Sequence, residues 1–320
     1  MNDNNLPLVT IAIPTYNRSD GYLREALQSA LNQSYGNIEI IVSDNCSTDG
    51  TEKYISDIGS RIIRYYRQDT PLKPNGNFNF CLNNALGSYF LLLHDDDIID
   101  YDFVSTCMQA VSFSTKYALI RTGTRLINAH SQFERNIPNH ITDASTEGLI
   151  HAWFNNQISF YFCSTLFNTE LLKLAGGLYS RHNLLEDCNA IIELSTRGPR
   201  LDIKEIKASY REHTNYLKYG LIIKKWSEDF LWLLDKICNL FPEEAAALRA
   251  EGAAFFSALS YKRAKAVASP LRRLLAYCMV YKKFGYKFPP PILQFNTWAN
   301  LLRRTLAKLT GADGYTIHKS

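Results

Sequence analysis

Short runs of apolar residues recur through the first two thirds of the chain, and polar residues follow each run directly. The clearest runs are Leu8–Pro14, Ile38–Ser43 and Tyr89–Leu93. Their length and unbroken apolar character predict strands buried on both faces. Between the first two, apolar residues recur three and four positions apart over 23–31, which predicts a helix. Strands that alternate with helices predict a parallel, right-handed α/β sheet.

The same patterns predict further elements up to residue 214. They are strands at Ile62–Arg67, Tyr117–Leu126, Phe160–Phe167 and Leu201–Ile206, and helices over 51–58, 77–86 and 102–112. Residues 127–143 have no clear period and are predicted to be a connection. Beyond residue 215 helical spacing dominates, over Leu221–Leu240 and Glu243–Ala268. The sequence therefore predicts an α/β domain at 1–214 and a helical extension at 215–320.

Three consecutive acids, Asp95, Asp96 and Asp97, follow the run at Tyr89–Leu93. Adjacent carboxylates repel one another, and a divalent cation or a bound ligand can offset that repulsion. A metal and diphosphate site at the end of a buried strand is one interpretation. A solvated acidic turn is the other, since acidic runs are commonly surface features.

Other polar residues stand where the first two strands end. They are Thr15, Tyr16, Asn17 and Arg18 after the first strand, and Asp44 after the second. Open α/β sheets bind ligands beyond the carboxyl ends of their strands, so these residues and the acids are expected to share one site. For Asn17 and Asp44, a turn or capping role is the alternative.

Composition narrows the class of protein. Seven cysteines are scattered without a C-x-x-C pair, which favours reduced thiols over a disulfide framework or a zinc knot. The first residues have no basic and apolar signal pattern, and no apolar run approaches the roughly 20 residues of a spanning helix. A cytoplasmic location is the expectation.

Charge is distributed unevenly. Residues 252–312 contain eleven basic and no acidic side chains, and Asp313 and Lys319 cancel each other. Because the whole chain carries +4, residues 1–251 carry −7. The two parts are therefore expected to meet different partners.

Six blocks in fixed order resemble inverting, nucleotide-sugar-dependent glycosyltransferases of family two, which have the GT-A fold. The blocks are Val9–Arg18, Ile41–Thr51, Asn83 with Ala85–Tyr89, His94–Asp97, Glu186-Asp187 and Arg211–His213. The resemblance covers roughly residues 6–215. It implies a Rossmann-like, mainly parallel central sheet flanked by helices, with the extension following it.

The resemblance also implies roles for individual residues. Nucleotide-sugar binding falls to Pro14, Thr15, Tyr16, Asn17, Arg18, Asp44 and Asp95; metal binding to Asp96, Asp97 and His213; and catalysis to Asp187, as general base, with Glu186 orienting it or the acceptor. His94 stands where many relatives have the first acid of the D-x-D motif. The implied cofactor is Mn²⁺ or Mg²⁺.

Simpler structural roles exist for two of these residues. His213 could be an ordinary surface or core histidine, and Asp187 an acid that opens a helix, where the dipole favours it. In the catalytic interpretation, a hydroxyl of a saccharide or lipid-linked saccharide displaces the nucleoside diphosphate from the opposite face and inverts the anomeric centre. UDP is the expected nucleotide, and polysaccharide or lipopolysaccharide assembly the expected pathway.

The basic extension suggests a second kind of partner. Its last part, Thr297–Leu309, places apolar residues largely on one side of a helix and basic residues elsewhere, which suits an anionic membrane surface. Residues 252–320 are therefore predicted to contact the cytoplasmic leaflet. A solvated face packed on the catalytic domain is the alternative. No nucleic acid partner is expected, because the body is acidic and no nucleic-acid module is recognisable.

Two other functions compete with the glycosyltransferase. A nucleotidyltransferase that makes nucleotide-sugars shares the α/β fold and the metal-phosphate chemistry. Such enzymes have a glycine-rich loop after the first strand, whereas this chain has no glycine between Thr15 and Gly21. A noncatalytic membrane-surface protein with the same fold is the rival from another class.

Overall fold

Four parallel strands form the first half of the sheet. They are β1 (Val9–Thr15), β2 (Ile38–Asp44), β3 (Ile63–Arg67) and β4 (Tyr89–Leu92), in the spatial order β3-β2-β1-β4. The computed structural model describes residues 6–19, 21–212 and 222–291. β1, β2 and β4 are buried along their whole length. This is why their sequences are continuous apolar runs rather than alternating ones.

Helices α1 (Tyr22–Leu31), α2 (Thr51–Ile58) and α3 (Pro74–Asn84) connect these strands. The predicted periodicity of α1 is confirmed, since Leu23, Leu27 and the alanines between and after them are fully buried. The capping position of α1 is Gly21, which has no side chain to cap the helix. α3 begins three residues earlier than predicted because Pro74 occupies its first turn, where a missing N–H costs nothing.

The second half of the sheet is mixed. Its elements are β5 (Ile98–Ile99), α4 (Phe103–Ala110), β6 (Leu119–Ile127), β7 (Phe133–Ile137), α5 (Thr146–Phe154), a 3₁₀ turn (Phe162–Ser164), β8 (Thr165–Asn168), α6 (Thr169–Leu174), α7 (Glu186–Ser195) and β9 (Arg200–Arg211). The order continues from β4 as β8-β6-β9-β5, with β7 beside β6. β8 is antiparallel to both neighbours, whereas β6 and β9 are parallel. The expected α/β fold class is confirmed.

Several predicted boundaries in this half are wrong. The predicted strand Phe160–Phe167 begins with the 3₁₀ turn, and only its end joins the sheet as β8. The unpatterned stretch 127–143 contains β7, an exposed edge strand that needs no apolar pattern. The predicted strand Leu201–Ile206 is part of a longer strand, β9, which changes register against β6 at Arg121 and Gly123.

Three helices follow: α8 (Ile223–Leu240), α9 (Ala245–Lys265) and α10 (Pro270–Lys283). Within the described ranges, packing groups residues up to 212 with 232–252 in one unit, and 222–231 with 253–291 in a second. The second half of α8 and the first part of α9 thus belong with the sheet. None of the helices in the described ranges is long and apolar enough to cross a membrane.

Candidate active site

The site lies where the strand order reverses. The chain builds β2 and β3 on one side of β1 and then returns to place β4 on the other side. Ligands of open α/β sheets bind at such a switch point, beyond the carboxyl ends of the strands. Thr15, at the end of β1, donates from Oγ1 to Oδ2 of Asp95 at 2.7 Å. The two loops predicted to form the site are therefore hydrogen-bonded to each other.

Asn17 ties the loop after β1 to the loop after β2. Its backbone is in the left-handed region, with φ +52°, which asparagine tolerates better than most residues. Its N–H donates to Oγ of Ser47, and its Oδ1 accepts from the N–H of Thr48, both at 2.8 Å. The amide of Asn17 therefore has a structural role, as its turn interpretation predicted.

The other residues of the first loop differ in exposure. Pro14 is buried within β1, whereas Tyr16 is 53% exposed beside it. Arg18 is half-buried, and its guanidinium carbon lies 5.5 Å from the ring centre of Tyr22. Asn17, between Tyr16 and Arg18, is also exposed, so all three residues have surface available to a ligand.

Asp44 is completely buried at the end of β2. Its Oδ1 accepts from the N–H of Ser47 at 2.8 Å, and its Oδ2 from the hydroxyl of Tyr65 at 2.6 Å. In this conformation Asp44 holds the second loop in place. A nucleotide base would reach the carboxylate only after Tyr65 moved, so the predicted contact stays a prediction.

The acids after β4 lie in a tight turn. The N–H of Leu93 continues the ladder to the carbonyl of Ala12 at 2.9 Å, and the N–H of Asp97 donates to the carbonyl of His94 at 3.1 Å. The short strand β5 then pairs with β9, Ile98 opposite Ser209. This pairing brings the end of β9 against the acidic turn.

Arg211, the last residue of β9, fixes two of the acids. Its N–H donates to Oδ1 of Asp97 at 2.9 Å, and its Nε donates to the carbonyl of Asp96 at 2.7 Å. The guanidinium is fully buried, pairs with Glu25 at 2.9 Å and lies 4.2 Å from the ring centre of Tyr22. The sequence predicted no role for Arg211, although this residue begins Arg211–His213, one of the six blocks that resemble family two.

Burial and mutual repulsion make this turn costly for negative charge. Burial raises the pKa of Asp95 to about 6, and the charge of Asp96 adds to the effect. Asp97 is 2% exposed, and burial together with Asp96 raises its pKa well above the usual range. The buried thiol of Cys163 donates to Asp97 and only partly offsets this. A bound cation would remove the conflict.

His94 completes a set of metal-ligating atoms. One donor atom from each of His94, Asp96 and Asp97 lies within 4.8 Å of the others, and His94 Nδ1 is 4.0 Å from Oδ2 of Asp97. The imidazole packs against the rings of Phe78 and Phe162, whose centres lie 5.2 and 5.6 Å from its own. Burial lowers the pKa of His94, which favours the neutral form that binds metals.

This donor set fits a divalent cation. The two carboxylates supply the oxygen ligands that Mg²⁺ and Mn²⁺ take, and a neutral imidazole is a common metal ligand. The predicted ligands Asp96 and Asp97 are brought together here, and His94 joins them although the sequence did not predict it as a ligand. The predicted ligand His213 lies outside the described residues.

Glu186 and Asp187 form the first turn of α7, as the sequence predicted. Glu186 is 6% exposed. Oδ1 of Asp187 accepts from the N–H of Cys188 at 2.7 Å. Burial raises the pKa of Asp187 to about 6. At neutral pH this carboxyl is mostly ionised, yet close enough to neutrality to exchange a proton.

The segment that carries the 3₁₀ turn interacts with both Asp187 and the acidic turn. Burial raises the pKa of Tyr161, and the charges of Glu212 and Asp187 raise it further. The charge of Asp187 thus acts on Tyr161, and Cys163, two residues further along the same segment, contacts Asp97. No sequence pattern singled out Tyr161 or Cys163.

The protein-family model described as glycosyl transferase family 2 matches residues 10–173, just over half of the chain. The chain belongs to glycosyl transferase family 2. This range contains β1 to β8 and the whole acidic turn, but neither Asp187 nor Arg211.

Curated relatives of this family 2 chain match it over about a third of its length. A GalNAc(5)-diNAcBac-PP-undecaprenol beta-1,3-glucosyltransferase of Campylobacter jejuni is 36% identical over 107 residues, 32% of this chain and 34% of the relative. The glycosyltransferase GlyA of Streptococcus pneumoniae is 34% identical over 106 residues, 32% of this chain and 15% of the relative. The match thus spans about a third or less of these relatives' lengths.

Solved structures extend the similarity over most of the family 2 chain. S. aureus TarS 1–349, in complex with UDP, gives a TM-score of 0.54 at 16% identity, covering 86% of this chain and 88% of that one. The mannosyltransferase PcManGT of Pyrobaculum calidifontis, in complex with GDP-Man and Mn²⁺, gives 0.55 at 16% identity, covering 96% and 88%. At these identities the similarity establishes the shared GT-A fold.

Proposed function

We propose that the protein is an inverting, metal-dependent glycosyltransferase that uses a nucleoside-diphosphate sugar. The observation that carries this proposal is the meeting of two loops at the switch point, where Thr15 donates to Asp95 beside the donor set of His94, Asp96 and Asp97. A nucleotide loop and a cation site on one sheet edge are what a nucleotide diphosphate requires. Family membership and the fold shared with UDP- and GDP-Man-bound proteins support it.

Different residues of the site bind different parts of the nucleotide-sugar donor. The exposed ring of Tyr16 and the half-buried Arg18 are available to the base, ribose or phosphates, and Asp95 lies beside them for a ribose hydroxyl. Asp96 and Asp97, with His94, hold the cation. When bound, the cation supplies positive charge that stabilises the departing diphosphate. UDP is the nucleotide we expect.

Asp187 is the proposed general base. It removes the proton of the acceptor hydroxyl as that oxygen attacks the anomeric carbon opposite the diphosphate. A carboxyl with a pKa of about 6 is a stronger base than an ordinary aspartate and is still mostly ionised at pH 7. Glu186 orients Asp187 or the acceptor. Direct displacement converts an α-linked donor into a β-linked product.

The proposed acceptor is a saccharide, or a saccharide linked to a lipid, in cell-surface polysaccharide or lipopolysaccharide assembly. The name of the Campylobacter relative specifies a lipid diphosphate acceptor, which supports this class. We further propose that 1–214 is the catalytic domain, and that the basic residues 252–320 hold the enzyme at the cytoplasmic leaflet. The absence of acids from 252–312 supports that contact.

A panel of nucleotide-sugars incubated with Mn²⁺ and a saccharide acceptor tests the reaction. A glycosyltransferase releases nucleoside diphosphate, and Asp96→Asn should abolish the Mn²⁺-dependent part of that release. Asp57→Asn, which changes an exposed acid on α2, is the matched control. Release of pyrophosphate from a nucleoside triphosphate and a sugar phosphate would show the rival nucleotidyltransferase. Binding without turnover for every donor would favour a noncatalytic protein.

A further inference from the structure

Helix α10 exposes large apolar side chains, which is not expected of a helix that packs only against its own protein. It begins at Ser269, the capping residue, with Pro270 in its first turn, and it buries Tyr277 and Val280. Yet Leu271 is 68% exposed, Leu274 48% and Leu275 61%. Single exposed leucines are ordinary, but a cluster of three on one helix marks an interaction surface.

These leucines lie on one stripe of the helix. Positions 271, 274, 275, 278 and 282 fall on the same face, because residues three and four apart are neighbours on a helix. Cys278 and Lys282 are exposed as well. We call the surface formed by Leu271, Leu274, Leu275, Cys278 and Lys282 the α10 face. Its composition is apolar along most of its length and cationic at its end.

In its described ranges, the unit that contains the α10 face exposes many cations, whereas its carboxylates are paired or buried. Residues 253–291 include eight basic and no acidic side chains. The cations exposed on this unit are Lys224, Lys225, Lys262, Lys265, Arg272, Lys282 and Lys287. Its two acids in the described ranges are Glu228, which pairs with Lys283 at 2.9 Å, and Asp229, which is fully buried. Within the described ranges this unit therefore carries an excess of positive charge, and Arg272 and Lys282 lie on the same helix as the leucines.

We propose that the α10 face docks on an anionic lipid surface. Leucines enter the boundary between headgroups and acyl chains, while Arg272 and Lys282 meet the lipid phosphates. A second copy of this chain is a poorer occupant, because two such faces would bring like charges together. Nucleic acid would pair with the cations, but it would place the leucines next to charged phosphates. The inference deepens the membrane contact proposed above and is independent of the sugar-transfer step.

Co-sedimentation of the full chain with vesicles tests the docking. Vesicles of phosphatidylcholine with about a quarter phosphatidylglycerol should retain the protein, and pure phosphatidylcholine vesicles should retain it at least about tenfold less. Changing Leu271, Leu274 and Leu275 together to glutamine, which keeps helix propensity, should lower partitioning by about tenfold or more. Changing Leu86 and Leu174 to glutamine, each 69% exposed in the other unit, is the matched control and should change nothing.

Charge gives a second arm. Arg272→Gln and Lys282→Gln should each weaken binding to anionic vesicles by about fivefold, and added salt should remove that difference. Thermal melting of each variant, equal to wild type, shows that the fold is retained. A variant that melts early is replaced by single leucine changes, read in the same assay.

Three results would overturn the proposal. One is equal vesicle binding by wild type and the triple leucine variant. Another is a dimer in wild type that the triple variant converts to a monomer, which would make a second copy the occupant. The third is retention of DNA duplexes but not of vesicles. Failure to release nucleoside diphosphate from any donor would defeat the proposed reaction and leave the docking result standing.

Discussion

Carboxylates buried at opposite ends of neighbouring strands differ in how well the protein stabilises their negative charge. Glu39, near the amino end of β2, is 7% exposed, yet its pKa is lowered. Burial alone would raise that pKa, but Thr10 Oγ1 donates at 2.6 Å, the N–H of Leu86 at 2.7 Å and Arg64 at 2.7 Å. Every part of this carboxylate has a partner within the protein, so its charge stabilises the fold.

The carboxylates at the other end of the sheet lack such compensation. The pKa of Asp95, of Asp97 and of Asp187 is raised, because burial outweighs the hydrogen bonds that each accepts. Hydrogen bonds and ion pairs within the protein stabilise the charge of a structural acid. The charge of an acid in a binding site is compensated only when a ligand or cation binds. The contrast indicates function more directly than the mere presence of acids does.

Asp187→Asn should have the largest effect. It removes the proposed base and should lower turnover by about 10²- to 10⁴-fold, the usual contribution of general base catalysis. Asp57→Asn is the control. Steady-state release of nucleoside diphosphate measures it, and a rate within twofold of wild type would remove Asp187 from the mechanism.

The wild-type pH profile tests the same residue independently. Because the pKa of Asp187 is about 6, the carboxylate dominates above pH 6 and the inactive acid below it. Turnover should therefore fall with an apparent pKa of about 6 as the pH is lowered. A profile flat down to pH 5 would show that no such carboxyl limits the reaction.

Glu39→Gln should affect stability and leave the chemistry alone. It removes the charge that Arg64 and two other donors stabilise, and should lower the free energy of unfolding by about 1–3 kcal/mol. Urea unfolding measures the loss. Activity per folded molecule should be unchanged, and a drop in activity without a loss of stability would break the contrast between the two ends of the sheet.

Asp95→Asn should do the reverse. The folded pKa of about 6 lies above the unfolded value of about 3.9, so the ionised carboxylate opposes folding at pH 7, and this penalty disappears as the pH falls below 4. The substitution should raise the melting temperature at pH 7 by about 2–4 °C and not at pH 4. Nucleotide binding should weaken. Equal destabilisation at both pH values would show that Asp95 is a structural acid like Glu39.

His151→Gln should have the smallest effect. It tests an ion pair that stabilises the fold, as the partners of Glu39 do, but whose contribution depends on pH. His151 lies between Glu251 at 2.8 Å and Glu244 at 3.0 Å, and these hydrogen bonds, that of Glu251 above all, raise its pKa. Its stabilisation is complete below the unfolded pKa of about 6.5 and is lost as the pH rises through the higher folded value. The loss on substitution should be about 0.5 kcal/mol at pH 6, because all three groups are partly exposed, and negligible at pH 9. A loss that does not vary with pH would point to packing instead.

Particular residues show how far the pattern of the sequence reached. The apolar runs of β1, β2 and β4 predicted buried parallel strands, and the acids that follow β4 predicted a site at their carboxyl ends. The helix α5 and the edge strand β7 escaped prediction. β7 is exposed over most of its length, so no apolar period marks it. The partners of the acidic turn also escaped, because Cys163 and Arg211 reach it from distant positions in the chain.

The order of residues by itself determined which strands are buried, where the acids stand along the chain and how charge divides between body and extension. These are local properties, since each depends on the neighbours within one turn or one strand. Only the tertiary structure decided that Thr15 meets Asp95, that Arg211 clamps the acidic turn and that the leucines of α10 face outward. Contacts between distant residues arise from strand order and packing, and no short window of sequence encodes the distance between them.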